Sequence, residues 1–317
     1  NNLALGNILA KQNTRRTKRT MLSPKSQRQT MIQDPQHALD PGLYFVATPI
    51  GAARDITLRT LDILRCCDVI AAEDTRALRH LMHLHGIPSG GRTIIAYHDH
   101  NGPQTRPKII AALHAGKSVA FAPQAGTPLL ADPGYQLARA AIDNNIHVSA
   151  APGPSAALMG LVVSGLPSDR FLFAGFPPAK QGDRARWLAE IEHIPATLIL
   201  YESPKRINRL LTEICNTWDV TRPAAVCREL TKRFEEVRRD TLGALLDSLH
   251  NRPLKGEIVL LIGRSKKLDI PETDLDAALR HALQNAPLKE ASANVAVRLG
   301  LPKRQVYQRA LYLKDKA

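Results

Sequence analysis

The feature that most constrains this chain is an alternation of short apolar runs with segments of helical spacing, which begins at Leu43. Strands that alternate with helices favour a largely parallel sheet covered by helices. With 317 residues, the chain is long for one core and sufficient for two. The predicted strands lie at 43–47, 69–72, 93–97, 118–121, 146–150, 171–173, 197–201, 224–227 and 258–263, and 234–238 can pair with 224–227.

Loops rich in Gly, Pro, carboxylate, imidazole or hydroxyl groups follow four of the first five predicted strands. The fullest is the loop 122–135, which links the strand at 118–121 to a helical segment from Gln136. In a parallel sheet, the carboxyl ends of the strands share one edge, where ligands meet backbone N–H groups and helix N-termini. The sequence therefore predicts a binding site at this edge of the first sheet.

The charge of the chain favours a polyanionic partner. The formal net charge is +14, and residues 1–42 and 264–317 each carry a net charge of +5. A basic protein is attracted to polyanions, of which RNA is the most abundant in a cytoplasm. A solubilising basic tail is the alternative interpretation. No apolar run reaches the roughly 18 residues that a membrane-spanning helix needs, so we predict a soluble protein.

Several kinds of site are disfavoured by the motifs. The four cysteines form no Cys-x-x-Cys pair, which indicates a reducing compartment without a cysteine-based zinc site. His98, Asp99 and His100 lie close together, but no further ligand stands at metal-binding spacing, so we predict no metal. A nucleophile elbow, a Walker loop and a His-Glu-x-x-His motif are also missing from the sequence.

The two ends of the chain differ from its middle. Residues 1–42 have no hydrophobic periodicity and are predicted to be a disordered basic extension, with Met21 or Met31 as the hypothetical biological start. Residues 272–317 have helical spacing, and the segments 291–299 and 303–311 are separated by a Gly-Leu-Pro turn. This arrangement fits a helix-turn-helix and a packed helical hairpin equally well.

Ten motifs occur in order along the chain, and together they are more specific than any one of them alone. They are Val46–Gly51, Arg54–Thr57, Ala72–Arg76, His98–Asn101, Ala125–Pro128, Asp132–Tyr135, Pro152–Ala156, Tyr201–Pro204, Arg228–Lys232 and Lys255–Val259. From about Leu43 to Gly263, the chain closely resembles the bacterial small-subunit ribosomal RNA (cytidine 2′-O)-methyltransferase I family of the tetrapyrrole methylase superfamily. The resemblance continues more weakly into the helical tail.

The resemblance implies an α/β fold with a mostly parallel N-terminal sheet, a mixed C-terminal sheet and a small helical tail. The domains expected from it are 43–153, 154–268 and 269–317, after the extension 1–42. It implies that S-adenosylmethionine binds between the two α/β domains of a cytoplasmic homodimer. The implied reaction is methylation of a cytidine ribose 2′-hydroxyl in the decoding region of 16S RNA, in the small ribosomal subunit.

Site residues follow from the motifs and from the resemblance. Polar side chains predicted to take part in catalysis, which the sequence does not rank, are Glu73, Asp74, His98, Glu202 and Glu229. The residues predicted to bind the cofactor are Thr48, Pro49, Gln124, Ala125, Gly126, Thr127, Asp132, Pro152, Gly153, Pro154, Ser155, Ala156, Tyr201 and Glu202. The cations predicted to contact RNA phosphates are Arg76, Arg206, Arg228, Lys232 and Arg233.

The chain departs from the family pattern near the predicted site. Pro123 and Gln124 stand where the family has Ser-Asp, Ala52 where it has Asn, and Gly102 where it has a second Glu of its histidine motif. Losing the Asp removes an anionic acceptor, although Gln124 can still accept and donate. We therefore predict weaker cofactor binding than in a family member with Ser-Asp.

Two other functions stay open at the level of the sequence. A methylase of the same superfamily acting on a small tetrapyrrole is one, although the Glu-Asp-Thr-Arg and Arg-Glu-Leu-Thr-Lys motifs and the basic ends argue against it. The other is a non-catalytic RNA-binding or assembly protein that has lost the cofactor, for which the Pro123-Gln124 change is the supporting feature.

Overall fold

The computed structural model describes residues 38–130, 134–252, 254–265, 272–299 and 303–315. The predicted extension lies, up to residue 37, outside the described residues. The strands are β1 (Gly42–Val46), β2 (Val69–Ala72), β3 (Thr93–Ala96), β4 (Ser118–Ala122), β5 (Val148–Ala151), β6 (Phe171–Gly175), β7 (Thr197–Glu202), β8 (Pro223–Arg228), β9 (Glu236–Thr241) and β10 (Ile258–Ile262). The helices are α1 (Leu58–Cys66), α2 (Thr75–Leu84), α3 (Gly102–His114), α4 (Tyr135–Asp143), α5 (Ala156–Ser164), α6 (Gln181–Ile191), α7 (Ile207–Cys215), α8 (Leu242–Asn251), α9 (Glu272–Leu283), α10 (Leu288–Arg298) and α11 (Lys303–Asp315).

The first sheet is parallel throughout, with the strand order β3-β2-β4-β1-β5. Successive side chains of a strand point to opposite faces, and both faces are buried here. In β1, Tyr44 and Val46 pack in the core on one face, whereas Leu43 and Phe45 pack in the core on the other. The predicted parallel sheet is confirmed, and the carboxyl ends of β1, β2, β4 and β5 meet at one edge.

The second sheet is mixed, with the strand order β6-β7-β10-β8-β9. Strands β6 and β7 are parallel, and the other three neighbouring pairs are antiparallel. Leu198 and Leu200 of β7 face the core beneath α7 and α8, while Ile199 faces α5. Ile50, from the loop after β1, joins the core on the α5 face, so this core connects the two sheets.

Helices α9, α10 and α11 share a small core of their own, which includes Leu275, Leu279, Val295, Val306 and Ala310. The predicted helical tail is therefore confirmed. A bidentate ion pair between Arg309 and Asp276, with N–O distances of 2.7 and 2.9 Å, ties α11 to α9. The turn predicted at Gly300–Pro302 lies outside the described residues. None of the described helices has the length and apolar character needed to cross a membrane.

Element boundaries differ from the sequence prediction by a few residues, and the differences at α3 and β9 have a physical reason. Helix α3 begins at Gly102 rather than near 105, because Pro103 stands in its first turn, where its missing N–H costs nothing. Strand β9 runs over Glu236–Thr241 rather than 234–238. Phe234 and Glu235 belong instead to the preceding loop. In this loop Glu229 and Thr231 both have positive φ, and the carboxylate of Glu235 accepts the Thr231 N–H at 2.6 Å.

Candidate active-site cleft

A cavity of about 410 Å³ opens between the edge of the first sheet and the α5 face of the second. Its lining comes from the loops after β1 and β4, the start of α5, and strands β7, β8 and β10. The lining residues are Ile50, Gln124, Ala125, Gly126, Thr127, Leu130, Ser155, Ala156, Phe176, Tyr201, Glu202, Ser203, Pro204, Cys227, Leu230, Gly256, Glu257, Ile258 and Val259. The cavity therefore borders the edge of the first sheet at which the sequence predicts a binding site.

The loop after β4 is fixed by its backbone. Thr48 and Gly126 exchange two N–H···O bonds of 3.0 and 2.9 Å, which join the loops after β1 and β4. The hydroxyl of Thr48 also donates to the Pro123 carbonyl at 3.3 Å. Gly126 has φ +82°, and a side chain there would in addition lie 3.3 Å from Cγ2 of Ile50. Glycine at this position therefore lets the backbone line the cavity.

The turn from β5 into α5 forms the neighbouring wall. A Cβ on Gly153 would lie 2.6 Å from Cβ of Ala47, so only glycine allows the turn to approach β1 this closely. The hydroxyl of Thr127 donates to the Pro154 carbonyl at 2.8 Å and joins this turn to the loop after β4. Ser155 begins α5 and is buried, and its Oγ has no hydrogen-bond partner within the described part of the chain.

Glu202 is a buried carboxylate at the end of β7 that lines the cavity, and its side chain is 1% exposed. Its Oε1 accepts the Ser203 N–H at 2.8 Å. Its Oε2 lies 3.3 Å from Nη2 of Arg206 but makes no hydrogen bond to any described residue. Burying a charged oxygen without full pairing is costly, and the nearby Arg206 charge offsets part of that cost.

Tyr201, next to Glu202, is hydrogen-bonded to the start of α5. Its hydroxyl accepts the Ala157 N–H at 3.0 Å, which satisfies one of the free donors at the start of the helix. Together with Ser155 and Ala156, it places the N-terminus of α5 in the cavity wall. The positive end of a helix dipole favours negative charge nearby.

Glu73 and Asp74 follow β2 but have different surroundings. The Glu73 carboxylate accepts the Gln124 N–H at 2.8 Å, and it thereby holds the loop after β4. Asp74 caps α2, since its Oδ1 accepts the N–H groups of Ala77 and Arg76 at 3.0 and 2.8 Å. These two bonds lower the pKa of Asp74. Neither carboxylate is among the cavity-lining residues.

His98 and Glu229 also lie outside the cavity lining. His98 follows β3, the edge strand, and its Nδ1 is buried without a hydrogen-bond partner among the described residues. Glu229 has a carboxylate that accepts the Glu257 N–H at 2.9 Å and a bond from Nζ of Lys232 at 3.1 Å. The bond from the Glu257 backbone is the main reason that the pKa of Glu229 is lowered. Of the five candidates, all within described ranges, Glu202 alone borders the cavity.

The predicted RNA-binding cations divide into two groups. Arg206 donates to the Pro177 carbonyl at 2.8 Å, and Arg228 donates to the Lys255 carbonyl at 2.6 Å. Lys232 pairs with Glu229 and Glu257, each at 3.1 Å. These three side chains have partners within the protein. The other two, Arg76 and Arg233, are exposed.

The predicted cofactor-binding residues also divide into two groups. Eight of them line the cavity, namely Gln124, Ala125, Gly126, Thr127, Ser155, Ala156, Tyr201 and Glu202. Another five, Thr48, Pro49, Pro152, Gly153 and Pro154, lie in the loops behind them. Asp132 lies outside the described residues. Phe176, Cys227, Gly256 and Val259 are not among the predicted site residues but also border the cavity.

Cys227 is the thiol in the cavity wall. Burial raises its pKa to about 12, so it is a neutral thiol at physiological pH. A thiol of this kind does not compete as a nucleophile inside the cleft. Over the described ranges, the structure brings together no three His, Cys, Asp or Glu side chains in an arrangement that could hold a metal ion.

Comparisons with known proteins agree with this geometry. Residues 42–246 match the family model described as Tetrapyrrole (Corrin/Porphyrin) Methylases, and residues 269–314 match the model described as RsmI C-terminal HTH domain. The chain is 47% identical over 284 residues to "Ribosomal RNA small subunit methyltransferase I" of Mesorhizobium japonicum, which covers 89% of this chain and 95% of the relative.

Two solved structures share the fold at low sequence identity. One is the methyltransferase CobJ, with a TM-score of 0.56 and 14% identity over 70% of this chain and 94% of that chain. The other is uroporphyrin-III C-methyl transferase from Thermus thermophilus complexed with S-adenyl homocysteine, with a TM-score of 0.50 and 17% identity over 70% and 97%.

Proposed function

The chain belongs to the tetrapyrrole methylase family, and from this premise we propose that it is an S-adenosylmethionine-dependent methyltransferase of small-subunit ribosomal RNA. The proposed acceptor is the ribose 2′-hydroxyl of a cytidine in the decoding region of 16S RNA. The observation that carries the proposal is the cavity between the sheets, lined by the Gly126 loop and the start of α5, in a chain 47% identical to a ribosomal RNA small subunit methyltransferase I.

The residues around the cavity fit the cofactor. Backbone groups of Gln124–Thr127 and the N-terminus of α5 would hold its polar parts, and the Oγ of Ser155, which has no partner among the described residues, offers a further donor and acceptor. Apolar contacts from Ile50, Leu230 and Val259 would exclude water around the reacting atoms. When bound, S-adenosylmethionine supplies an electrophilic methyl group together with its own leaving group.

Glu202 is the acceptor that we propose for the proton of the ribose hydroxyl. Its Oε2 is buried without a hydrogen-bond partner among the described residues, and it lies 3.3 Å from Nη2 of Arg206. A positioned base raises the reactivity of a poor nucleophile such as a hydroxyl, typically by about 10²- to 10⁴-fold. Alignment of the hydroxyl with the methyl group would supply the remaining acceleration.

The Glu202 proposal is tested with E202Q, which keeps the shape of the side chain. We expect kcat to fall by about 10²- to 10⁴-fold, while the Kd of S-adenosylmethionine, measured by calorimetry, changes little. E257Q is the matched control, because Glu257 borders the same cavity but is exposed and pairs with Lys232. Equal losses of kcat in both variants would remove Glu202 from this role.

The overall function is tested by methyl transfer to its proposed substrate. The protein is incubated with labelled S-adenosylmethionine and small ribosomal subunits that lack the modification, and the label is mapped on the RNA. Label on a single cytidine ribose is the expected result. Transfer to a tetrapyrrole instead, or RNA binding without transfer, would contradict the proposal and support the corresponding alternative.

The Pro123-Gln124 departure gives a second test of the cofactor site. Gln124 borders the cavity, so the double variant P123S/Q124D restores a carboxylate in its wall. A charged acceptor makes hydrogen bonds roughly twice as strong as a neutral one. We expect calorimetry to show tighter binding of S-adenosylmethionine by about fivefold or more, which corresponds to about 1 kcal/mol. Unchanged affinity would show that this acceptor is unimportant.

We also propose that the protein is a cytoplasmic homodimer. Leu158, Met159 and Val162 of α5 are exposed by 48%, 37% and 74%, and an apolar stripe of this kind is typical of an interface. Light scattering after size-exclusion chromatography measures the mass. We expect twice the chain mass for the wild type and a shift toward the monomer for V162E, whereas a monomeric wild type would contradict the dimer. The proposed location in the cytoplasm follows from the proposed ribosomal RNA substrate.

A further inference from the structure

Phe176 is a large aromatic side chain that is 56% exposed at the border of the cavity. It directly follows β6, after Gly175, whose φ is +71°. Leaving much of a phenylalanine ring in water forgoes part of the stabilisation that burying it would give. An exposed ring beside a binding cavity is therefore a candidate for contact with a ligand.

The backbone that carries Phe176 is held by two arginines. Arg206 donates to the carbonyls of Pro177 and Pro178 at 2.8 and 3.3 Å. Arg184 donates to the Pro178 carbonyl at 2.9 Å and to the next carbonyl at 2.8 Å. Two consecutive prolines also restrict the backbone by fixing φ. The position of Phe176 is thus set before any ligand binds.

The ring of Phe176 is oriented by its aromatic neighbours. Its centroid lies 5.5 Å from that of Tyr201, at an interplanar angle of 67°, and Tyr201 makes a similar contact with Phe173 at 4.9 Å. Edge-to-face pairs of this kind are favourable contacts. Since the hydroxyl of Tyr201 also accepts the Ala157 N–H, the ring is linked through Tyr201 to the start of α5.

We propose that Phe176 is the surface on which the base of the substrate nucleotide stacks. This inference rests on the proposed RNA substrate. The wall formed by the first sheet offers mostly backbone polar groups, whereas the wall at β6 and β7 offers the ring of Phe176, and Glu202 borders the same cavity. A base on Phe176 would place its ribose at the cavity that Glu202 also borders, and the exposed Lys205 nearby in sequence can neutralise a phosphate.

Stacking has a measurable contribution. Aromatic stacking contributes about 1–3 kcal/mol per base by alanine substitution, which corresponds to about 5- to 150-fold in binding. F176A should raise the KM for small subunits within that range, with a smaller effect on kcat. F176W should keep the wild-type KM, whereas F176L, which retains apolar area without a π-face, should behave like F176A. F171A is the matched control, because Phe171 is 45% exposed at the opposite end of the same strand.

Two further measurements distinguish contact of Phe176 with the base from contact with the cofactor, and they test the proposal independently of the overall function. The Kd of S-adenosylmethionine, from calorimetry, should be the same for F176A and the wild type. If F176A loses as much affinity for S-adenosylmethionine as it loses for the RNA substrate, the ring contacts the cofactor. If F176L keeps the wild-type KM, stacking is not involved. Either result overturns the proposal. Binding of a short RNA with the target sequence, measured by fluorescence anisotropy with S-adenosylhomocysteine present, reports on Phe176 without turnover. If F176A binds this RNA as the wild type does, the proposal fails, even where methyl transfer to the subunit is established.

Discussion

Gly256, at the border of the cavity, is a position at which one added methyl group should both strain the backbone and displace a neighbouring carboxylate. Its φ is +91°, a conformation that residues with a Cβ rarely adopt. A Cβ there would lie 2.6 Å from Cγ of Glu229, and closer still to its carboxylate. That carboxylate accepts bonds from the Glu257 N–H and from Lys232. The variant G256A therefore strains the backbone and displaces Glu229.

The two effects can be given separate magnitudes. A left-handed conformation costs a residue with a side chain about 1–2 kcal/mol. Displacing Glu229 breaks a bond between a backbone N–H and a carboxylate, which contributes about 1.5–3 kcal/mol. We take the lower end because Glu257 and Lys232 are partly in water. We therefore expect G256A to lower the free energy of unfolding by about 2–4 kcal/mol.

Urea unfolding of four variants, namely G256A, G116A, E229A and the double variant G256A/E229A, separates these contributions. G116A isolates the backbone cost, because Gly116 has φ +75° and a Cβ there would meet nothing within 4 Å. We expect G116A to lose about 1–2 kcal/mol, less than G256A. In an E229A background, where the clash is removed, the cost of G256A should fall to that of G116A. If G256A lowers the free energy of unfolding by the same amount as G116A, or by the same amount with and without Glu229, then the clash with Glu229 does not contribute and the prediction fails.

Three further predictions concern side chains of the second sheet and of the helices that cover it. R184A should lower the free energy of unfolding by about 3–5 kcal/mol, because Arg184 is buried and pairs with Glu213 through bonds of 2.5 and 2.6 Å; a loss under about 1 kcal/mol in urea unfolding would contradict this. The bonds from Arg184 lower the pKa of Glu213 below its usual value of 4.5, so their stabilisation is present above that pH and lost as the pH falls through the lowered pKa. The difference in unfolding free energy between the wild type and E213Q should therefore shrink below about pH 4.5, and a constant difference would refute it. Cys227, whose pKa is raised to about 12 by burial, should resist N-ethylmaleimide at pH 7.5 in the native protein and react after unfolding, as mass spectrometry would show.

The alternation of strands and helices could be predicted from the sequence because it reflects burial on both faces of the first sheet. Leu43 and Phe45 face one core, and Tyr44 and Val46 face the other, so β1 forms a continuous apolar run. The start of β9 could not be predicted in the same way. It depends on the positive φ of Glu229 and Thr231, which are not glycines and give no local signal in the sequence.

Half of the candidate site could be predicted because its residues have recognisable types. The Gly126 loop and the Pro152–Ala156 turn stand at strand ends and contain Gly and Pro. Cys227 and Val259 border the same cavity, but in the sequence they resemble any buried strand residue. The hydrogen-bond partners of Arg206 and Arg228 could not be predicted either, because these side chains bind carbonyls that are distant in sequence.

The structure limits what the Pro123-Gln124 departure can change. The Pro123 carbonyl still accepts a bond from Thr48, and the Gln124 N–H still donates to Glu73 at 2.8 Å. Both contacts use backbone atoms that any residue other than proline at position 124 would supply, so the path of the loop does not depend on the departure. The departure therefore acts through the Gln124 side chain at the cavity border. It follows that Q124D alone should reproduce the cofactor affinity of the double variant, while P123S alone should leave it unchanged.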